Sequence, residues 1–100
     1  MFVLSLDYTA PLADVDRARD AHMAWVAEQY AAGRFLASGA KVPRTGGVIL
    51  ARAAPRAEIE ALVASDPFAT AGVAEYTIME FAATSTADDA AALREPPAVP

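Results

Sequence analysis

Two prolines and one glycine divide the chain into short segments, and this division constrains its fold most. Pro11 and Pro55 each stand just before a segment with helical spacing. Proline suits the first turn of a helix, because its ring fixes φ and its missing N–H group would have no partner there. We predict helices over about residues 11–32, ended by Gly33, and from residue 55 to about residue 65.

Four short apolar segments surround these helices and have the composition of β-strands. They occupy residues 2–8, 35–42, 47–53 and 73–81. Pro43-Arg44-Thr45-Gly46 separates the second from the third and is typical of a hairpin turn. The predicted order is β-α-β-β-α-β, a ferredoxin-like α+β fold with both helices on one face of a four-stranded antiparallel sheet.

Both faces of the predicted sheet are apolar. In the first strand, Phe2, Leu4 and Leu6 point to one face and Val3 points to the other. At about 25 cal/mol per Å² of apolar surface, leaving the second face in water would forgo several kcal/mol. We therefore predict that a second copy covers it, in a homodimer packed sheet to sheet that forms a dimeric α/β barrel.

Composition excludes several classes of function. The chain has 100 residues and 55% hydrophobic content, enough for one domain with a core. Its net charge is −5 without a cluster of lysines or arginines, so we expect no nucleic-acid partner. With one histidine and no cysteine, we expect no metal and no cofactor. The apolar start is too short for a signal peptide or a membrane span, which predicts a cytoplasmic protein without a membrane partner.

The end of the chain differs in composition from the rest. Residues 83–100 contain an alanine-rich stretch followed by a proline-rich one. We predict a folded domain over residues 1–82 and an Ala/Pro-rich tail over residues 83–100. This composition is compatible with disorder, with one helical turn, or with a tail that lies across a neighbouring subunit.

His22 and Asp66 are the best candidates for chemistry. Imidazole exchanges protons near neutral pH, and a carboxylate that fixes its tautomer makes it a usable acid or base. His22 follows Pro11 by eleven residues and Asp66 follows Pro55 by eleven. At 1.5 Å per residue, both lie about 16 Å along helices that run parallel, so they can be neighbours. Asp66 precedes Pro67, which directs it out of the helix.

Both residues also have simpler explanations. A histidine within a helix commonly bonds to a backbone carbonyl, and an aspartate before a proline commonly caps a helix. In that interpretation Asp66 would cap a short turn at Phe68. Capping and catalysis are compatible, because a capping carboxylate remains an acceptor.

Four further residues are candidates for ligand contact. Arg19 lies one turn before His22, where it could bind an anionic or phenolic oxygen. Ser5 and Ser38 could offer hydroxyl groups, and Phe68 could supply an aromatic wall. The alternatives are a solvated arginine, serines that satisfy backbone groups, and an aromatic side chain in the core.

Several of these segments together resemble the YCII-related (YciI-like) family of the dimeric α/β barrel superfamily. They are Arg19 with His22, residues 33–39, and residues 65–68, and the resemblance covers about residues 1–82. It implies a ferredoxin-like protomer, a dimer, and a His-Asp active site carried by His22 and Asp66. Family members with an assigned activity act on hydroxylated aromatics, for example by dehydrochlorination. Longer members have a loop where this chain has the short connection of residues 41–47.

The resulting functional prediction is a small enzyme that needs no cofactor. His22 would move a proton on a small cyclic or aromatic metabolite, and Asp66 would orient the imidazole. The reaction would be elimination, isomerisation or lactone chemistry. The alternatives are a dimeric module that binds a metabolite without converting it, and a purely structural dimer.

Overall fold

A computed structural model describes residues 1–98 as an α+β fold built on one sheet. The elements are β1 (Phe2–Tyr8), α1 (Leu12–Ala31), β2 (Phe35–Ala40), β3 (Gly46–Ala51), α2 (Arg56–Ala64), α3 (Pro67–Thr70), β4 (Ala74–Glu80) and a 3₁₀ helix (Asp88–Leu93). The strands lie in the order β2-β3-β1-β4, and every neighbouring pair is antiparallel. This arrangement confirms the predicted ferredoxin-like fold.

The helices begin and end at the residues that signalled them. Pro11 and Pro55 are the N-caps of α1 and α2. Gly33 follows α1 with φ of +74°, a left-handed conformation that glycine adopts readily, and its N–H donates to the Tyr30 carbonyl. Within residues 1–98, no helix combines the length and the apolar character needed to cross a bilayer.

The connection between β2 and β3 begins at an earlier residue than predicted. The strand predicted for residues 35–42 ends at Ala40, because the chain turns at residues 41–45 and Val42 is 98% exposed. The strand predicted for residues 47–53 runs from Gly46 to Ala51. Lys41 N–H donates to the Gly46 carbonyl and closes the connection.

The core lies between the helices and one face of the sheet. Phe2, Leu4 and Leu6 alternate onto this face and are almost fully buried. The main buried cluster comprises Phe2, Leu4, Trp25, Val26, Phe35, Ile49, Ala51, Ile59 and Val63. A second cluster, of Leu6, Val15, Phe68, Val73 and Ala74, lies beside it under α3. Within residues 1–98, the α-helices leave the opposite face uncovered, and Met79 on it is 62% exposed.

Part of the predicted tail folds back onto the start of β1. The Glu95 carboxylate accepts hydrogen bonds from the Ala83 N–H at 3.0 Å and from the Met1 amino group at 2.8 Å. These two bonds, the Ala83 bond more than the Met1 bond, lower the pKa of Glu95. The last two residues of the predicted tail, 99 and 100, lie outside the described residues.

Gly46 allows the β2–β3 connection to lie against β1. A Cβ atom at this position would stand 1.8 Å from the Leu6 carbonyl oxygen, so a side chain has no room. Next to it, the Tyr8 N–H donates to the Thr45 carbonyl at 2.9 Å. The backbone of residues 44–46 is therefore fixed against the end of β1.

We expect Gly46→Ala to destabilise the protein by roughly 1–3 kcal/mol, because β1 and β3 must separate to admit the methyl group. Gly39→Ala is the matched control, since a Cβ atom at Gly39 would meet no atom of a non-neighbouring residue within 4 Å. It should change the unfolding free energy by less than about 1 kcal/mol. Urea denaturation followed by Trp25 fluorescence measures both. Equal values for the two variants would contradict the close approach.

Candidate functional site

The imidazole of His22 is held in a fixed orientation between α1 and α3. Its ring stacks on Phe68 with a centroid distance of 3.9 Å and an interplanar angle of 7°. The His22 side chain is 12% exposed. Phe68 itself is buried and meets the Tyr8 ring edge to face at 6.0 Å. The position of the imidazole is therefore set by aromatic packing as well as by hydrogen bonding.

Asp66 is fully buried and accepts hydrogen bonds from three elements. Its Oδ1 lies 2.7 Å from His22 Nδ1 and accepts the Phe68 backbone N–H at 2.9 Å. Its Oδ2 accepts the Tyr76 hydroxyl at 2.5 Å. The Phe68 bond is also the N-cap of α3, so the capping role and contact with His22 coexist in one carboxylate.

These bonds define which nitrogen of His22 can react. A carboxylate only accepts hydrogen bonds, so the network assigns the imidazole hydrogen to Nδ1. Nε2 has no hydrogen-bond partner within residues 1–98, and no unpartnered side-chain nitrogen or oxygen there is buried. The lone pair of Nε2 is thus free at an accessible position, as acid–base chemistry requires.

Tyr76 is a member of the site that the sequence analysis did not identify. It lies on β4 opposite Leu6, on the face that packs against the helices. Burial raises its pKa strongly, and the hydrogen bond to Asp66 raises it further. Its hydroxyl therefore keeps its proton at neutral pH and remains a donor to Asp66. Strand alternation is the signal that could have found it, because Tyr76 and Ile78 lie opposite Leu6 and Leu4 on the buried face.

A cavity of about 250 Å³ opens beside His22. It lies between α1, α3 and the β2–β3 hairpin, with apolar walls that include Leu6, Val26 and Phe68. Three of its lining residues, Gly39, Gly46 and Gly47, have no side chain, so backbone atoms form part of its wall. A cavity of roughly 150 Å³ is enough to bind benzene, so this one has room for a single substituted ring.

Two arginines stand at this cavity. Arg19, on α1 one turn before His22, makes no side-chain hydrogen bond within the described part of the chain. Arg44, from the β2–β3 connection, donates through Nη2 to Asp16 Oδ1 at 2.6 Å, and its Cζ lies 5.8 Å from the Tyr8 ring centroid. Asp16, more than Tyr8, raises the pKa of Arg44.

The structure brings together most of the predicted site residues. His22, Arg19, Ser38 and Phe68 line the cavity, and Asp66 lies directly behind His22. The Ser38 hydroxyl is 2.7 Å from the Tyr30 hydroxyl.

Ser5 is the exception among the predicted site residues. Its strand partners are Val48 and Thr77, and it alternates with Leu4 and Leu6, so it lies on the sheet face away from the helices. The predicted ligand contact of Ser5 is therefore not compatible with a ligand in this cavity. Alternation within β1 is the physical reason.

The site contains a group that can transfer a proton and cationic groups that can bind an anionic oxygen of a ligand. Nε2 of His22 can take up and return a proton, and the imidazolium that forms would be stabilised by Asp66. The nearby guanidinium groups can stabilise negative charge on a ligand oxygen. Within residues 1–98, no group of three or more His, Cys, Asp or Glu side chains is placed to bind a metal ion.

Comparison with known proteins identifies a sequence family and a related fold. Residues 1–82 match the family described as the YCII-related domain. One similar solved structure is 5-chloro-2-hydroxyhydroquinone dehydrochlorinase (TftG) from Burkholderia phenoliruptrix AC1100, in complex with 2,5-dihydroxybenzoquinone. Its TM-score is 0.65 at 20% sequence identity, covering 81% of this chain and 93% of that chain. Among curated proteins, no sequence matches this chain significantly. The structural similarity supports the fold.

We expect Tyr76→Phe to lower the unfolding free energy by roughly 1–3 kcal/mol at pH 7, because one oxygen of the buried Asp66 loses its donor. Folding raises the pKa of Tyr76, so this stabilisation is complete below the ordinary tyrosine pKa of about 10 and is lost as pH rises above it. The difference between wild type and variant should therefore shrink above about pH 10. Urea denaturation at a series of pH values measures this dependence.

Tyr30→Phe is the control, since Tyr30 is 41% exposed and does not touch Asp66. It should change the unfolding free energy at pH 7 by less than about 0.5 kcal/mol. A Tyr76→Phe variant as stable as Tyr30→Phe would show that the Tyr76–Asp66 bond contributes little.

Proposed function

Because this chain belongs to the YCII-related family, we propose that it is a small cofactor-independent enzyme in which His22 transfers a proton on a cyclic or aromatic metabolite. The reaction class is elimination, isomerisation or lactone chemistry. Asp66 orients the imidazole, and Arg19 binds an oxygen of the ligand on which negative charge develops. Phe68 and Ser38 contribute to the walls of the site.

A single observation carries this proposal. His22 presents a free Nε2 at the edge of a cavity of about 250 Å³ while a fully buried carboxylate holds Nδ1 at 2.7 Å. In a general base, a hydrogen bond to one imidazole nitrogen fixes the tautomer, and the other nitrogen faces the space that a ligand can occupy.

Each proton transfer of the proposed reaction has a defined route. Nε2 removes a proton from an O–H or C–H group of the ligand, and Asp66 stabilises the resulting imidazolium through Nδ1–H. In an elimination, the electrons of the broken bond form a new double bond while the leaving group departs with its own bonding pair, and the imidazolium then releases its proton to the solvent. In an isomerisation, Nε2 returns the proton to another atom of the ligand. No step needs an oxidant or reductant.

The choice of substrate class rests on the size of the cavity and on the related fold. A single substituted ring fits the available volume. The similar structure is described as a dehydrochlorinase of a chlorinated, hydroxylated aromatic, bound to a dihydroxybenzoquinone. We therefore place hydroxylated single-ring aromatics and quinones first among candidate substrates.

We expect His22→Gln to lower kcat at least about 100-fold, because glutamine fits the space of imidazole but is not a base at neutral pH. The first assay is chloride release from 5-chloro-2-hydroxyhydroquinone. The second is hydrogen–deuterium exchange into hydroxylated quinones and lactones in D₂O, which reports a base even where no net product forms. Circular dichroism checks that the variant is folded.

Asp66→Asn is the isosteric companion variant. Its amide can donate to Nδ1 and so favours the tautomer with hydrogen on Nε2, which should reduce kcat while the cavity remains intact. Equal turnover by wild type and His22→Gln would rule out His22 as the base. Ligand binding by a wild type that neither converts the ligand nor catalyses exchange would favour the alternative, a dimeric module that only binds a metabolite.

We further propose that the protein acts as a homodimer through the sheet face that carries no helix. Val3, Val48, Leu50 and Met79 share this face by strand alternation, and none of them is fully buried in the single chain. Apolar side chains on a continuous face of this kind favour association with a complementary surface. A second copy offers the same surface by two-fold symmetry.

We expect Leu50→Asp to shift the protein towards monomer, because a carboxylate in the centre of an apolar interface would lose its hydration. Leu12→Asp is the matched control, since Leu12 is 46% exposed on α1 and away from this face. Light scattering coupled to size exclusion measures the mass of each protein. A wild type that is monomeric at all concentrations, or a dimeric Leu50→Asp, contradicts the proposed interface.

A further inference from the structure

Arg44 is a charged side chain at the cavity for which the proposed reaction gives no role. It comes from the short connection between β2 and β3, whereas His22 and Arg19 come from α1. The close contact of Gly46 with Leu6 and the bond from Tyr8 N–H to Thr45 fix the backbone on its C-terminal side. The guanidinium is thus carried by a turn that is anchored to β1 on its C-terminal side.

Several N–H donors of the Arg44 guanidinium are available to a ligand. A guanidinium has five N–H donors, and within residues 1–98 the side-chain hydrogen bond of Arg44 goes from Nη2 to Asp16. Asp16 and the Tyr8 ring hold the group in place, as the ion pair at 2.6 Å and the 5.8 Å separation indicate. The remaining donors match the planar, bidentate geometry of a carboxylate or a pair of oxygen atoms on a ring.

The charges at the cavity are opposite to the charge of the whole chain. The net charge is −5, yet Arg19 and Arg44 line the cavity, and no acidic side chain of the described residues does so. Asp16 pairs with Arg44 but stands outside the lining and is about half exposed. An anionic ligand would therefore meet two cations without an opposing carboxylate inside the cavity.

We propose that Arg44 is a specificity-determining residue that selects ligands carrying an ionised oxygen group, such as an aryl carboxylate or a phenolate. Asp16 holds the guanidinium in position in the empty site and competes with the ligand for it. This inference rests on the proposed function only in placing the ligand in the same cavity. It adds a requirement for charge that the His22 chemistry alone does not impose.

The test compares two probes that differ in charge and little in shape, 4-nitrobenzoate and its neutral counterpart 4-nitrobenzamide. Isothermal titration at pH 7 and low salt should give wild-type protein at least about tenfold tighter binding of the anion, as expected for a charge-assisted hydrogen bond. Arg44→Gln should remove most of this preference, with Arg19 still present at the cavity, while leaving the affinity for 4-nitrobenzamide within about twofold. Arg44→Lys should retain part of it.

Two further variants separate local contact from overall charge. Arg56→Gln removes another exposed arginine that is paired with a carboxylate, Glu60, on α2 outside the cavity, and it should keep the preference. Asp16→Asn should strengthen binding of the anion, because it removes the competing acceptor. If the Arg44–Asp16 pair has only a structural role, Arg44→Gln and Asp16→Asn should instead change the affinity for the anion in the same direction.

Three outcomes of the binding measurements would overturn the inference. They are equal affinity of the wild type for the two probes, a preference that Arg44→Gln leaves intact, and no binding of 4-nitrobenzoate at millimolar concentration. The result is independent of turnover. Charge selection by Arg44 in a protein without proton-transfer activity would sustain this inference and defeat the proposed function. Equal kcat/KM for neutral and anionic substrates, unchanged in Arg44→Gln, would sustain the proposed function and defeat this inference.

Discussion

A carboxylate without contact with solvent determines how this site is assembled. Burying an ionised group is costly unless hydrogen bonds replace its hydration, and Asp66 obtains three of them. The donors come from α1, α3 and β4, so these elements must reach their final positions together for the carboxylate to be satisfied. His22 is one of the three donors, which makes the orientation of its imidazole part of the fold itself.

Local signals explain why the elements were predictable from the sequence. Pro11, Pro55 and Gly33 act through backbone geometry that depends on neighbouring residues alone, and they mark helix boundaries in the structure. Strand alternation likewise places Leu4 and Leu6 in the core. The strands around the β2–β3 connection were less well defined, because its conformation depends on hydrogen bonds between Lys41 and Gly46.

The candidate site was only partly predictable, because its parts meet through tertiary contacts. His22 and Asp66 lie at equal distances along the chain from the two helix starts, which predicted that they could be neighbours. The structure puts them within hydrogen-bond distance. The Tyr76 hydroxyl reaches Asp66 across the sheet, a contact that spacing along the chain does not reveal. Arg44 reaches the cavity because glycine lets its turn pack on β1. Ser5 could have been excluded by the alternation of its own strand.

The glycines that line the cavity have a consequence for how ligand preference can vary. Peptide groups around Gly39 and Gly47 present the same atoms whatever side chains the rest of the protein carries. At Gly47 a side chain would also crowd the backbone, because its Cβ atom would lie 3.2 Å from the Gly39 carbonyl oxygen. Substitutions at lining residues that carry side chains, such as Val26 and Arg19, leave these backbone atoms in place, so the glycine part of the wall and the charge of the cavity can vary separately.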